Sequence, residues 1–169
     1  MAIVATVVVC VGGAGTYTLA HLRSPTTVTL NGLTFGWPYG WDRLNYCSSL
    51  PIRDGLDGAC LRPDPNADAG AYVAVFSIDP TENQTAPDLA RSLGDRVIGY
   101  DACGARAVPG GEGDNAFACL QHHDSPERKA ELRLRLQKTV AVMVLCVRTE
   151  RSEIRKGCDI VWERMHITR

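Results

Sequence analysis

Two neighbouring stretches decide the fold class: Glu131–Gln137, ELRLRLQ, and Val140–Arg148, VAVMVLCVR. The first alternates strictly. Leu132, Leu134 and Leu136 fall on one face, and Arg133 and Arg135 on the other, which is the period of a strand rather than a helix. The leucines are expected to face the core and the arginines the solvent. The second stretch is apolar on both faces, as a strand buried on both sides must be. Lys138-Thr139 is the expected turn between them. Glu153 to His166 then reads as a helix with Ser152 as N-cap. Ile154, Cys158, Val161 and Met165 recur at helical spacing along its buried face.

Working outward, Thr26 to Phe35 reads as one strand. It leads into the aromatic turn Gly36-Trp37-Pro38-Tyr39-Gly40-Trp41. Residues 47–70 read as loop, with a short strand near Ala59-Cys60-Leu61. Ala71 to Ile78 is a strand. Ala86 to Val97 is a helix with Thr85 as N-cap, Pro87 in its first turn, and Leu89, Leu93 and Val97 as its apolar stripe. Gly104–Val108 and Ala116–Leu120 are two further strands around a Gly-rich hairpin loop. The layout is α+β, an antiparallel sheet flanked by helices.

The chain has 169 residues, 45% hydrophobic and 22% charged, which suits one globular domain and excludes a disordered or coiled-coil protein. A net charge of −1 gives no electrostatic case for nucleic acid. The charge is unevenly placed. Residues 1–20 contain no Asp, Glu, Lys, Arg or His. At 1.5 Å per residue such a run reaches about 30 Å, the thickness of the hydrocarbon core. Residues 1–22 are therefore read as an N-terminal transmembrane helix, with residues 2–20 in the bilayer. Residues 23–29 are a spacer, and residues 30–169 are the folded domain. Val9 before Cys10 disfavours lipidation, and Thr18-Leu19-Ala20 is a poor cleavage signal. Arg23 behind the segment votes for a cytoplasmic domain; the cysteines vote for the other side.

Outside the apolar run stand six cysteines: Cys47, Cys60, Cys103, Cys119, Cys146 and Cys158. An even set suggests disulfides, with fifteen connectivities open. Pairing of neighbours would staple a hairpin or a strand to its adjacent helix. Structural zinc favours tight C-x2-4-C pairs, and none occurs. Disulfides persist outside the cytosol, so the domain is expected on the extracytoplasmic side of the membrane.

No G-x-S-x-G, H-E-x-x-H, P-loop or G-x-G-x-x-G motif is present. Neither a catalytic residue nor a cofactor is expected. The rival reading is a small metal-binding protein or enzyme built from Cys119, His122 and His123. Adjacent histidines on a strand point to opposite faces, which argues against it. Trp37, Tyr39 and Trp41 are candidates for an aromatic binding surface. The competing reading puts Trp41 and Phe35 in the core and Tyr39 over a turn. Asp54, Asp57, Asp64 and Asp68 are too widely spaced for a calcium loop.

Two segments carry a resemblance. Thr34-Phe-Gly-Trp-Pro-Tyr-Gly-Trp41 is similar to the P-x-G-W signature of PsbP/Mog1-like domains. Val140–Arg148, followed by Glu153 to Met165, resembles the closing strand and helix of that fold. Actinobacterial type VII secretion-associated proteins resemble it further, with a cysteine on the last strand and a second in the last helix. Here these are Cys146 and Cys158, the latter in Gly157-Cys158-Asp159-Ile160-Val161. The resemblance implies an α/β/α sandwich, a bond between those two cysteines, and a non-catalytic binding or assembly module whose partner is an envelope or secretion-system protein. Arg outnumbers Lys 15 to 3, which fits a GC-rich actinobacterial genome.

Overall fold

The computed structural model describes residues 26–30, 33–44, 58–63, 70–80, 84–109, 113–137 and 140–167. The expected anchor, residues 1–22, and Cys47 lie outside the described residues. Among the described residues no helix is long and apolar enough to cross a membrane.

The chain order is β1 (Thr26–Leu30), β2 (Leu33–Trp37), β3 (Asp42–Leu44), β4 (Gly58–Arg62), β5 (Tyr72–Ile78), α1 (Ala86–Gly94), β6 (Tyr100–Val108), β7 (Asp114–His122), β8 (Lys129–Gln137), β9 (Val140–Val147), α2 (Ser152–Glu163) and β10 (His166–Ile167). A seven-stranded antiparallel sheet runs β3-β4-β5-β9-β8-β7-β6, and a small sheet runs β1-β2-β10. All eight residues of β9 are buried, as its sequence requires. Gln137 pairs with Val140, so Lys138-Thr139 is the connection between β8 and β9.

Each face of the large sheet has its own core. On one face Tyr72, Ala74 and Phe76 of β5, Leu132 and Leu134 of β8, and Met143 and Leu145 of β9 pack with Leu89, Ala90 and Leu93 of α1. On the other, Val73, Val75, Val142, Val144 and Cys146 pack with Ile154, Cys158, Val161 and Met165 of the α2 region, and with Leu33, Phe35 and Trp37 of β2. The result is a layered α+β sandwich.

Several boundaries differ from the sequence reading, each for a local reason. Thr26 to Phe35 is not one strand. β1 and β2 pair as a hairpin with Leu30 opposite Leu33, and the connecting dipeptide is Asn31-Gly32, which suits a two-residue hairpin turn. α1 begins as expected. The Thr85 hydroxyl accepts from the Asp88 N–H at 3.4 Å and donates to the Asp88 carboxylate. It ends at Gly94, three residues short of Val97. There a Cβ would meet Leu120 Cδ2 at 2.9 Å, so glycine lets the helix end lie close to the sheet without displacing that side chain. Ser152 is not a cap but the first residue of α2. Arg151 holds the cap position without a side-chain hydrogen bond. α2 stops at Glu163, and His166–Ile167 leave it to pair with β2.

The connection from β9 to α2 is a tight, hydrogen-bonded turn. Arg148 has φ 74°, the left-handed region that costs a non-glycine residue about 1 kcal/mol. It is held there because the N–H groups of Arg148 and Thr149 both donate to the Lys129 carbonyl at 2.9 Å. Glu150 closes the turn. Its carboxylate accepts from the Lys129 N–H at 3.1 Å and from the Arg148 guanidinium. Partial burial pushes the Glu150 carboxyl up. Hydrogen bonds from Arg148 and from the backbone of Lys129 and Glu150 outweigh this and hold it below its ordinary value.

Gly157 marks the tightest contact of α2. A Cβ there would lie 2.2 Å from the Trp41 indole ring. In an open helix position Gly→Ala gains about 1 kcal/mol. Gly157→Ala is instead expected to lower stability by about 1–3 kcal/mol through overpacking, read as a lower urea midpoint. Adding Trp41→Leu should recover part of the loss. Glu150→Gln tests the turn. A lowered carboxyl pKa stabilises the fold above the unfolded value of about 4.3, and the contribution fades as pH falls through the folded value. Glu150→Gln should therefore melt below the parent at pH 7, with the gap closing as the pH is lowered below the ordinary carboxylate range.

Candidate functional site

Arg133 and Arg135 do fall opposite the β8 leucines, but the face they occupy is not solvent. α2 lies across it, and Arg133 is 7% exposed. A buried guanidinium needs partners. Arg133 Nη2 donates to Asp159 Oδ1 of α2 at 2.7 Å, and its Nε pairs with Glu131 of its own strand. Its guanidinium sits 5.1 Å from the centroid of Phe117, the residue opposite it on β7. Arg135 donates to Asn115 Oδ1 at 3.2 Å and to the Met165 carbonyl at 2.8 Å, and lies 4.8 Å from the Trp162 ring. Phe117 and Trp162 meet edge to face at 6.0 Å. Arg106 of the edge strand β6 extends the series, 6.0 Å from Phe117.

This ladder of cations and rings ties the C-terminal half of α2 to β7 and β8. The sequence reading gives Arg133 and Arg135 only a strand face and assigns no role to Arg106, Phe117, Asp159 or Trp162. The alternation of ELRLRLQ assigns a face to each arginine but does not say what covers that face. Beyond the ladder, toward β6, the same face opens into a groove of about 310 Å³, lined by Gly104, Arg106, Phe117, Cys119 and Glu131 among others.

The aromatic turn does not form an outward platform. Trp37 is 7% exposed and packs in the α2-side core, 6.0 Å from the ring of Phe35. Trp41 lies against Gly157. Tyr39 alone of the three is exposed, at 58%. The close fit to a glycine on α2 draws the indole inward.

The cysteines come together in neighbour pairs. Cys146 of β9 and Cys158 of α2 stand at disulfide distance, Cα–Cα 6.0 Å, both fully buried. Cys103 of β6 and Cys119 of β7 do the same at 5.3 Å, both exposed. Cys103 is the extra residue of a β-bulge. Ala102 faces Leu120 and Gly104 faces Cys119, with residue 103 between. Gly104 has φ 152°, which glycine adopts freely. Cys60 is disulfide-bonded as well.

Cys119, His122 and His123 do not converge. The Cys119 sulfur is taken by Cys103. His122 Nδ1 accepts from the Asp124 N–H at 3.2 Å, and its ring meets Tyr100 edge-on at 5.1 Å. His123 Nε2 lies 3.0 Å from Asp101 Oδ1. Among the described residues no group of three His, Cys, Asp or Glu side chains could hold a metal. Burial and the neighbouring Tyr100 push the Tyr72 hydroxyl well above its ordinary range, so it stays protonated. The N–H of Glu153 itself, with Arg151, holds the Glu153 carboxyl below its usual value against weak desolvation. Glu153 and Arg151 lie at the start of α2, whereas Tyr72 belongs to the core on the α1 side of the sheet.

No protein-family profile matches the chain. No curated protein matches it in sequence. Solved structures do match in fold. The solution structure of cyanobacterial PsbP (CyanoP) from Synechocystis sp. PCC 6803 superposes with a TM-score of 0.60 at 16% identity, covering 92% of this chain and 98% of that one. LpqN, involved in cell envelope biogenesis of Mycobacterium tuberculosis, gives 0.50 at 14% identity, over 88% of each chain. A Bacteroides thetaiotaomicron protein gives 0.51 at 13% identity, over 82% of this chain and 46% of that one. The fold is PsbP-like.

The ladder generates a stability prediction. Arg133→Met removes the cation that Glu131 and Asp159 share. Those carboxylates are 28% and 48% exposed, so solvent screens part of the cost. A loss of about 1–2 kcal/mol in urea unfolding is expected. Arg133→Lys should recover little of it, since an ammonium does not reproduce the planar fork.

Proposed function

We propose that the chain is a non-catalytic binding or assembly module of the cell envelope. It acts on the extracytoplasmic side of the membrane and is held there by residues 1–22. The observation that carries this reading is the pair Cys146 and Cys158, fully buried and within bonding distance in the α2-side core. A core built around a disulfide belongs in an oxidising compartment. Two further observations support it. The first twenty residues carry no charge. The fold is shared with a protein described as involved in cell envelope biogenesis. Association with a type VII secretion system is the finer part of the proposal, with one of its proteins as partner. That part rests on the strand and helix positions of Cys146 and Cys158.

Membrane fractions of a native-type host expressing a tagged copy should yield, on non-reducing peptide mapping, Cys146 linked to Cys158. Deletion of residues 1–22 should release the chain from the membrane. Recovery of both cysteines as free thiols, or of the intact chain in the cytosolic fraction, would contradict the proposal. Cross-linking in that host should capture a secretion-system component; capture of unrelated envelope proteins would remove the type VII part alone.

A further inference from the structure

We propose that the β6–β7 edge carries a thiol–disulfide exchange site for a protein dithiol. This rests on the oxidised, extracytoplasmic state proposed above and adds a reaction to it. The two described pairs differ in access. Cys146 and Cys158 are 0% exposed, closed in by β9, α2 and β2. Cys103 and Cys119 are both exposed, and one of their strands is the last in the sheet. Nothing in the sheet lies beyond β6, so an attacking thiol need displace no strand. The bulge at Cys103 leaves that residue outside the regular ladder, so its sulfur can separate without unpairing its neighbours.

Cys119 also lines the groove that holds Arg106, Phe117 and Glu131. The Glu131 carboxylate is already engaged by Arg133. Arg106 is the cation among the residues lining the groove, and a nearby cation favours the thiolate over the thiol. Phe117 supplies an apolar floor for the segment that carries the attacking cysteine.

A partner thiolate attacks Sγ of Cys119, and the Cys103–Cys119 bond breaks. Its electron pair leaves on Cys103 Sγ, which takes a proton from water. The partner's second thiol then gives up its proton and attacks the partner sulfur of the mixed disulfide. Cys119 leaves as a thiolate and is protonated. The cysteine pair gains two electrons and two protons, and the partner dithiol becomes a disulfide.

The test uses the full oxidised chain, treated in native buffer with limiting dithiothreitol or with a reduced thioredoxin-fold protein. Alkylation and peptide mapping follow over time. Cys103 and Cys119 should be labelled at least about tenfold faster than Cys146 and Cys158, with the circular dichroism unchanged. Arg106→Glu should slow that labelling about threefold or more, since it sets like charge against the attacking thiolate. Equal labelling rates, labelling of Cys146 and Cys158 first, loss of the fold as Cys103 and Cys119 react, or no effect of Arg106→Glu would overturn the proposal. The outcome is separate from the location question, which turns on Cys146 and Cys158 in native membranes.

Discussion

Everything in this fold follows from a strand with no polar side. Val140–Val147 places all eight of its side chains in buried surroundings. Such a strand cannot sit at an edge or on a wet face, because each buried aliphatic side chain is worth about 1.5–3 kcal/mol only when both faces are covered. It therefore lies inside the sheet, between β5 and β8, and it requires a layer on each side. α1 supplies one. α2, with the β1-β2-β10 sheet, supplies the other.

The second layer is the more constrained. It must cover β9 and β5 with aliphatic side chains and β8 with whatever can meet two arginines. α2 solves both along its length. Ile154, Cys158 and Val161 face the valines, while Asp159, Trp162 and the Met165 carbonyl meet Arg133 and Arg135. Its depth is set by Gly157, which admits the Trp41 ring, and by the Cys146–Cys158 pair. A disulfide closing so short a loop contributes roughly 3 kcal/mol by chain entropy. The start of the helix is set by the Glu150 bridge between Lys129 and Arg148. Sheet, turn and helix are thus one cooperative unit.

Periodicity made much of this legible. The alternation of ELRLRLQ, the two-faced apolar run after it, the Thr85 cap and the stripe Ile154, Cys158, Val161 and Met165 each appear in the structure where the pattern puts them. What periodicity could not supply is what lies opposite a face. Arg133 and Arg135 read as solvent residues until a helix covers them. Asn31-Gly32 interrupts an otherwise continuous strand pattern, and the dipeptide rather than the pattern marks the hairpin. β10 has two residues and no period at all; it exists because β2 offers an open edge. For the site, an even set of cysteines was readable but its connectivity was not, and the exposure of Cys103 and Cys119 against the burial of Cys146 and Cys158 depends on the strand order. The close fit of Trp41 depends on a glycine more than a hundred residues downstream.

The two described cysteine pairs differ in place: Cys146 and Cys158 close the core, and Cys103 and Cys119 face outward at the sheet edge. α2 is part of the core rather than a lid on it, with Ile154, Cys158 and Val161 buried against the sheet. Hydrogen exchange on the oxidised full-length chain tests this directly. The amides of Ile154 to Val161 should open only with the global unfolding free energy, at the same denaturant-dependent rate as those of Val142 to Cys146. If the α2 amides exchange through a smaller, separate opening while β9 stays protected, the helix is a peripheral element and the account is wrong.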